Sequence, residues 1–277
     1  MDPIFLNRMK DILKNEYDDF IESLNKPSLK AIYLNNKKEN ILNYLNLNFL
    51  TKHPIVDNGY YFDYENYPLG KSPFFLSGLY YIQEPSAMLV ADALDIKEDD
   101  YVLDMCAAPG SKTQYISELM NNTGKVLALD IHPHRVEIMK KYLSSLNLNN
   151  VTCVCYDSTK LHEKEKLVGS FDRVLLDAPC LGLGVIRRKP DILHDLSGEK
   201  LDELVSIQQK LIDEAYLMLK DGGTLVYSTC SINKKENDSQ VIAFLGRHKD
   251  MKRVFEKQIL PYEYDSDGFY ICKLIKG

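Results

Sequence analysis

The sequence predicts an α/β fold built on a mainly parallel sheet, and three features lead there. From Tyr101 onward, short apolar runs alternate with amphipathic stretches at helical spacing. Parallel neighbours need such helical crossovers and bury both faces of their sheet, so their strands read as nearly continuous apolar runs. Acidic residues recur where those runs stop, at Asp104, Asp130, Asp157 and Asp177, and glycine and proline gather in several of the turns beyond. That end is where an open parallel sheet carries its ligands.

The elements follow in order. Phe5, Met9, Ile12, Leu13, Tyr17, Phe20, Ile21 and Leu24 recur at helical spacing in a leading stretch that Pro27 ends. Ala31–Leu34 reads as a short strand and Glu39–Leu47 as a helix. Residues 53–80, rich in Tyr, Gly and Pro, read as loops with short strands. Pro85 opens a helix through Ala91, at a position where a missing N–H costs nothing. Next come strand Tyr101–Met105, helix Ser111–Met120, strand Lys125–Ile131, helix Pro133–Leu146, and strands Val151–Tyr156 and Arg173–Asp177. Leu201–Leu219 is a long amphipathic helix, with glycine at Gly222-Gly223 supplying a left-handed exit. Thr224–Ser228 is a strand, Glu236–Leu245 a helix and Phe269–Ile275 a last strand. The texture changes near residues 80–95, which divides the chain into a small α+β segment, residues 1–82, and a larger domain, residues 83–277. The first is too small for a robust core of its own and is expected to pack on the second.

Composition narrows the function classes. Of 277 residues, 45% are apolar and 27% charged, with 18 Tyr and 10 Phe, which excludes a wholly disordered chain. No apolar run reaches the ~18–20 residues of a membrane helix. The start, Met1-Asp2-Pro3-Ile4, lacks the pattern of a secretory signal, so the cytoplasm is the expected location. The six cysteines are scattered and include no Cys-x-x-Cys pair, so neither a disulfide framework nor a structural metal site is expected. Cys153, Cys155 and Cys272 lie in apolar strand patterns and read as inert core. The net charge of −6 argues against polyanion binding by the whole surface, but screening makes a local basic patch matter more than the sum. Arg187-Arg188-Lys189 is the best such patch and is read as a phosphate contact, with Lys234-Lys235 a weaker one.

Three motifs carry chemistry. In Asp104-Met105-Cys106-Ala107-Ala108-Pro109-Gly110-Ser111-Lys112-Thr113, small residues let a ligand approach the backbone, and the helix opening at Ser111 offers free N–H groups to an anion. Asp130 at the next strand end can accept both hydrogen bonds of a ribose diol, and Asp157 can receive an adenine amino group. Acids at three successive strand ends suit an adenosine ligand. The spacing of Gly110 and Lys112 is wrong for a P-loop, and one glycine is too few for a dinucleotide turn. The second motif, Asp177-Ala178-Pro179-Cys180-Leu181-Gly182-Leu183-Gly184, and the third, Tyr227-Ser228-Thr229-Cys230-Ser231, put two thiols at the carboxyl ends of strands that could be neighbours.

In combination these motifs make the chain resemble the Sun-type (Nol/Nop/Sun) RNA cytosine-5 methyltransferases, from Gln83-Glu84-Pro85-Ser86-Ala87 to Gly268-Phe269, about two thirds of the chain. The segment before residue 83 is similar to the small leading domain of bacterial members that modify ribosomal RNA. The resemblance implies a Rossmann-like class I methyltransferase sheet with S-adenosylmethionine as donor. It implies that Cys106, Ala107, Ala108, Pro109, Gly110, Ser111 and Lys112 hold the methionine moiety, with Lys112 near its carboxylate. Asp130, supported by Arg135, would bind the ribose, Asp157 would face the adenine, and Asp177 would lie between cofactor and target base. Cys230 would be the nucleophile, and Cys180 would assist breakdown of the covalent intermediate. Position alone does not decide between the two sulfurs, because DNA cytosine methyltransferases attack with a Pro-Cys cysteine. Ser111 stands where the family has a second Gly, and Leu181 where it has Ser.

The chemistry explains why such groups are needed. Carbon-5 of cytosine is a poor nucleophile until a thiolate adds at carbon-6 and pushes electron density to it. An unperturbed thiol is only ~3% thiolate at neutral pH, so the attacking sulfur needs a positive or hydrogen-bonding neighbour, which the sequence does not reveal. The expected substrate is RNA, small-subunit (16S) ribosomal RNA first and transfer RNA second. A non-catalytic RNA-binding assembly factor that keeps the fold is the competing class. Tyr60, Tyr61 and Tyr64 read as packing of the small domain before base stacking.

Overall fold

The computed structural model describes residues 3–26, 29–35 and 48–277. The leading apolar stretch forms two helices, α1 (Pro3–Leu13) and α2 (Tyr17–Leu24), broken by a 3₁₀ turn at Lys14–Glu16. Lys14 takes a left-handed φ of 51° there, which interrupts what the spacing reads as one helix. Strands β1 (Lys30–Leu34), β2 (Thr51–Lys52), β3 (Gly59–Phe62) and β4 (Tyr80–Ile82) form an antiparallel sheet in the order β2-β3-β1-β4. A short helix, α3 (Pro73–Leu76), precedes β4, its first turn capped by the Ser72 hydroxyl accepting from the Phe74 N–H. Pro27 and the helix expected over Glu39–Leu47 lie outside the described residues.

Helix α4 (Pro85–Asp92) leads into the large sheet, with the Glu84 carboxylate accepting from the Ala87 N–H at its start. There follow β5 (Tyr101–Asp104), α5 (Ser111–Leu119), β6 (Lys125–Asp130), α6 (Pro133–Ser145), β7 (Val151–Cys155), β8 (Phe171–Asp177), α7 (Gly198–Met218), β9 (Leu219–Thr229), α8 (Asp238–Arg247), β10 (Met251–Ile259) and β11 (Phe269–Lys276). The strand order is β10-β11-β9-β8-β5-β6-β7. Pairings from β7 through β9 are parallel, and β11 and β10 add antiparallel strands at one end. The chain winds outward in both directions from β5, so the crevice at its carboxyl end is the topological switch point where such sheets bind ligands.

Three expectations need correction. β10 has no counterpart in the sequence reading. It is an edge strand whose middle is exposed on both faces, so Met251–Ile259 shows no alternation to read. β9 starts at Leu219, and Gly222, at φ 74°, bends an irregular strand rather than ending a helix. Cys155 is exposed on the other edge strand, not core, whereas Cys272 is fully buried.

The core explains why the leading segment folds. Ala31, Tyr33, Val56 and Tyr81 pack with Met88, Ala91 and Ile116 of the larger domain. Phe5, Met9, Leu13 and Phe20 pack with Leu181, Leu183, Ile186 and Leu201. Helices α1 and α2 therefore rest on the loop that carries Cys180.

Candidate active site

The turn after β5 has the geometry of a cradle. Asp104 is buried, and the Thr113 hydroxyl donates to it at 2.7 Å, tying strand end to helix start. Gly110 sits at φ 107°, and a Cβ there would press on Met139 at 3.0 Å, so glycine is required. Helix α5 opens directly after it with no side-chain cap, leaving N–H groups of its first turn for an anion. Burial pushes the Cys106 thiol up, so this cysteine remains a neutral lining group. Burial also raises the Asp104 carboxyl to about 7, with Thr113 and Lys112 opposing. Since that value exceeds the unfolded one, its contribution to stability is complete below about pH 4 and is lost as pH rises through 7. Asp104→Asn removes this slope. Its melting temperature relative to the parent should rise by about 4 °C or more between pH 5 and pH 8, as calorimetry would measure.

The next two strand ends carry the remaining acids. Asp130 is buried, accepts from the His132 N–H at 3.0 Å and pairs with Arg135 at 3.2 Å. Arg135 also donates to the Ala108 carbonyl, so one guanidinium joins the β5 turn to the β6 end. Asp157 uses Oδ1 to cap Thr159 through its N–H and hydroxyl, while Oδ2 lies 3.9 Å from Lys160. A flush turn of small residues, an uncapped helix start and two strand-end carboxylates with acceptor capacity fit the methionine and adenosine parts of S-adenosylmethionine.

On the other side of β5, the register pairs Asp177 with Ser228, which brings the second and third motifs together. The Cys180 and Cys230 sulfurs are 3.3 Å apart. The Cys180 thiol is raised well above its usual range, first by its bond to Cys230 and then by burial. It therefore favours its protonated form, and either sulfur can donate to the other. Lys112 is the residue the sequence reading placed at the methionine carboxylate. Its Nζ lies 2.8 Å from Asp177 Oδ2, while Ser228 donates to Asp177 Oδ1 at 2.9 Å. Burial works against the ammonium, but Asp177 outweighs it and the Lys112 pKa is raised, with Cys230 also within Coulombic reach. Lys112 thus places a positive charge within Coulombic reach of Cys230.

The arginine pair has partners within the chain. Arg188 Nε donates to both oxygens of the buried Asp267 at 2.9 Å, and Arg187 donates to the carbonyls of Asp265 and Ser266. Both hold the 265–268 loop, while part of the Arg188 side chain stays exposed. That loop is pinned further by Glu84, which accepts from the Asp267 N–H at 2.7 Å. Arg188→Ala strands the Asp267 carboxylate and should destabilise the fold by about 2–3 kcal/mol, less than for a fully buried pair because the guanidinium is partly exposed. Its effect should appear in denaturant unfolding and leave the salt dependence of RNA binding unchanged, whereas loss of a phosphate contact would reduce that slope by about one.

Leu181, where the family resemblance expects Ser, is buried in the cluster formed with α1 and α2. Burial of a leucine side chain stabilises by about 2 kcal/mol, which accounts for the departure. Ser111 begins α5, where a small hydroxyl residue is tolerated. Among the described residues, no helix is long and apolar enough to cross a membrane and no cluster of His, Cys, Asp and Glu could hold a metal ion.

Comparisons with known proteins agree with this geometry. The family model described as 16S rRNA methyltransferase RsmB/F matches residues 91–275, and the N-terminal domain of 16S rRNA methyltransferase RsmF matches residues 1–85. The chain is 43% identical to the probable ribosomal RNA small subunit methyltransferase B of Bacillus subtilis, over 73% of this chain and 49% of that protein. It is 35% identical to the ribosomal RNA small subunit methyltransferase F of Escherichia coli K12, over 98% of this chain and 62% of that protein. The chain thus spans about half to three fifths of the length of these relatives. A solved methyltransferase homolog from Pyrococcus horikoshii superposes with a TM-score of 0.86 at 29% identity, covering 100% of this chain and 96% of that one. NSun6 of the same organism, solved with SFG, shares the fold with a TM-score of 0.83 at 24% identity, covering 98% and 97%. A Rossmann-like sheet, a cradle for S-adenosylmethionine and paired cysteines meet in one sequence that the family model matches over two thirds of its length, and the chain belongs to the RsmB/F family of 16S rRNA methyltransferases.

Proposed function

We propose that this chain transfers a methyl group from S-adenosylmethionine to carbon-5 of a cytosine in 16S ribosomal RNA, through a transient bond between Cys230 and the base. The observation that carries the reading is the pair of sulfurs 3.3 Å apart beside the Lys112–Asp177 ion pair, at the switch point of the sheet. The relatives, ribosomal RNA small subunit methyltransferases, supply the substrate class. When bound, S-adenosylmethionine supplies a methyl group on a positively charged sulfur. The residues after β5 and at the ends of β6 and β7 would hold it: Cys106–Lys112 around the methionine part, with α5 N–H groups toward the carboxylate, Asp130 and Arg135 at the ribose, and Asp157 at the adenine.

The chain's own groups then divide the work. Cys230, with the Lys112 ammonium and the Cys180 thiol beside it, adds to carbon-6 of the cytosine as thiolate. Asp177 is held by Ser228 and Lys112 so that it can face the amidine edge of the base and stabilise the charge that develops on addition. Carbon-5 takes the methyl group; Cys180 then gives its proton to the departing Cys230 sulfur and takes up the proton that leaves carbon-5, so the carbon–sulfur bond breaks and aromaticity is restored. The target cytosine must leave its stack or lie in single-stranded RNA to reach these sulfurs.

Division into a leading unit, residues 1–82, and a catalytic unit, residues 83–277, goes with this reading, as does a cytoplasmic location. The test is transfer of tritium from labelled methyl donor to purified 16S rRNA, small subunits and transfer RNA in parallel, followed by bisulfite sequencing. Label in 16S rRNA as 5-methylcytosine is the expected result. Label in transfer RNA alone would move the substrate, and donor binding without transfer to any RNA would favour the non-catalytic class.

A further inference from the structure

Two segments that each carry a cysteine meet on one buried side chain that the reaction itself does not use. Glu236, fully buried, lies in a 3₁₀ turn at Lys234–Glu236 just beyond Cys230. Its Oε1 accepts from the Leu181 N–H at 2.8 Å, and its Oε2 from the Ser231 hydroxyl at 2.5 Å. Leu181 and Ser231 are the residues that immediately follow Cys180 and Cys230. Gln208 of α7 is buried alongside, donating to the Pro179 carbonyl at 2.8 Å and to Glu236 Oε1 at 3.3 Å. The main chain on both sides of Cys180 is thereby tied to the same carboxylate that holds the residue after Cys230. The turn is itself fixed to β9, since Tyr227 donates to the Glu236 carbonyl and the Asn237 amide donates to the Ser231 carbonyl at 2.9 Å.

We propose that Glu236, supported by Gln208, is a positioning residue that sets the distance between the Cys180 and Cys230 sulfurs. Neither side chain touches a reacting atom. A carboxylate is suited to this task because it presents two acceptors across a short fixed span to two donors on separate loops. Burial leaves those donors no water to replace it, so a side chain that cannot accept leaves both loops unpaired. Glutamine keeps most of the bracket, because its oxygen can accept from Leu181 while its amide donates to the Ser231 oxygen. The proposal rests on the reading of Cys230 as nucleophile, and its test separates the two.

The probe is phenylarsine oxide, which bridges two thiols only when they are close. Two arsenic–sulfur bonds form, and the oxide oxygen leaves as water with the two thiol protons. The full chain should bind it between Cys180 and Cys230, and Cys180→Ala should abolish that site, as mass spectrometry would register. Glu236→Ala should weaken binding about ten-fold and lower kcat for RNA methylation by a similar factor, with KM for the methyl donor within about two-fold. Glu236→Gln should recover most of both losses, which a non-specific loss of packing would not predict. A folded Glu236→Ala chain with parental arsenical affinity overturns the proposal. Should that variant not fold, Gln208→Ala reads the same quantity, with an expected loss of about three-fold, and parental affinity there overturns it equally. If the parent and its variants differ in arsenical affinity as expected but none methylates RNA, the positioning role stands and the functional reading fails.

Discussion

Cys230→Ala is expected to abolish methyl transfer and covalent capture of RNA together, whereas Cys180→Ala should lower turnover while covalent adducts accumulate. The size of the first effect follows from chemistry. Without addition at carbon-6, carbon-5 is too weak a nucleophile, and loss of a covalent nucleophile costs at least about 10³-fold. The asymmetry follows from the structure. The sulfurs are 3.3 Å apart, and the Cys180 thiol is driven above its usual range by its bond to Cys230 and by burial, so Cys180 is disfavoured as a thiolate. A thiol that keeps its proton does not attack, but it can hand that proton to the departing Cys230 sulfur while taking up the one that leaves carbon-5. Denaturing gels of each variant with labelled 16S rRNA read both outcomes. Adducts lost in Cys180→Ala and retained in Cys230→Ala would reverse the assignment.

How much of this was legible follows from what each feature depends on. The strand–turn–helix units of the large sheet were readable because buried parallel strands are short apolar runs and their turns are marked by Gly, Pro and Asp. Each expected strand end from Met105 to Tyr156 falls within a residue of the structural one. β10 was not readable, since an edge strand with an exposed middle carries no periodic signal. The acids after β5, β6 and β8 were found from position alone; Arg135 beside Asp130 came with the family resemblance, and the partner of Asp177 was not legible. Lys112 and Asp177 lie 65 residues apart and meet only because β5 and β8 are adjacent. The same holds for Arg188 and Asp267, whose pairing no local pattern signals. Glu236 stands beside Lys234-Lys235, read as a weak basic patch, at the start of an expected helix. Only its burial against two cysteine loops reveals otherwise, and nothing in the local sequence could have signalled it.

Lys112→Met should leave the chain foldable, weaken it, and reduce kcat by at least about 10²-fold. The Lys112 and Asp177 side chains are 15% and 25% exposed, so removing the ammonium leaves a mostly buried carboxylate that still accepts from Ser228. Breaking such a pair costs about 2–4 kcal/mol, since burial is incomplete and water can reach part of the carboxylate. Two effects then fall on the reaction at once. Asp177 loses the contact that fixes its second oxygen, so it no longer meets the base in one orientation. The Lys112 charge within Coulombic reach of the Cys230 sulfur is also gone, so negative charge developing there loses its support. Lys112→Arg keeps the charge but replaces a compact ammonium with a planar fork in a space shaped by Asp177 and the Phe269 ring, 5.5 Å from Nζ, so it should recover only part of the loss. The split between kcat and KM decides which role Lys112 has. A residue holding the methionine carboxylate would raise KM for the methyl donor by an order of magnitude with kcat largely kept. A residue paired with Asp177 lowers kcat with KM for the donor changed less than about three-fold, and the 2.8 Å contact argues for the second pattern.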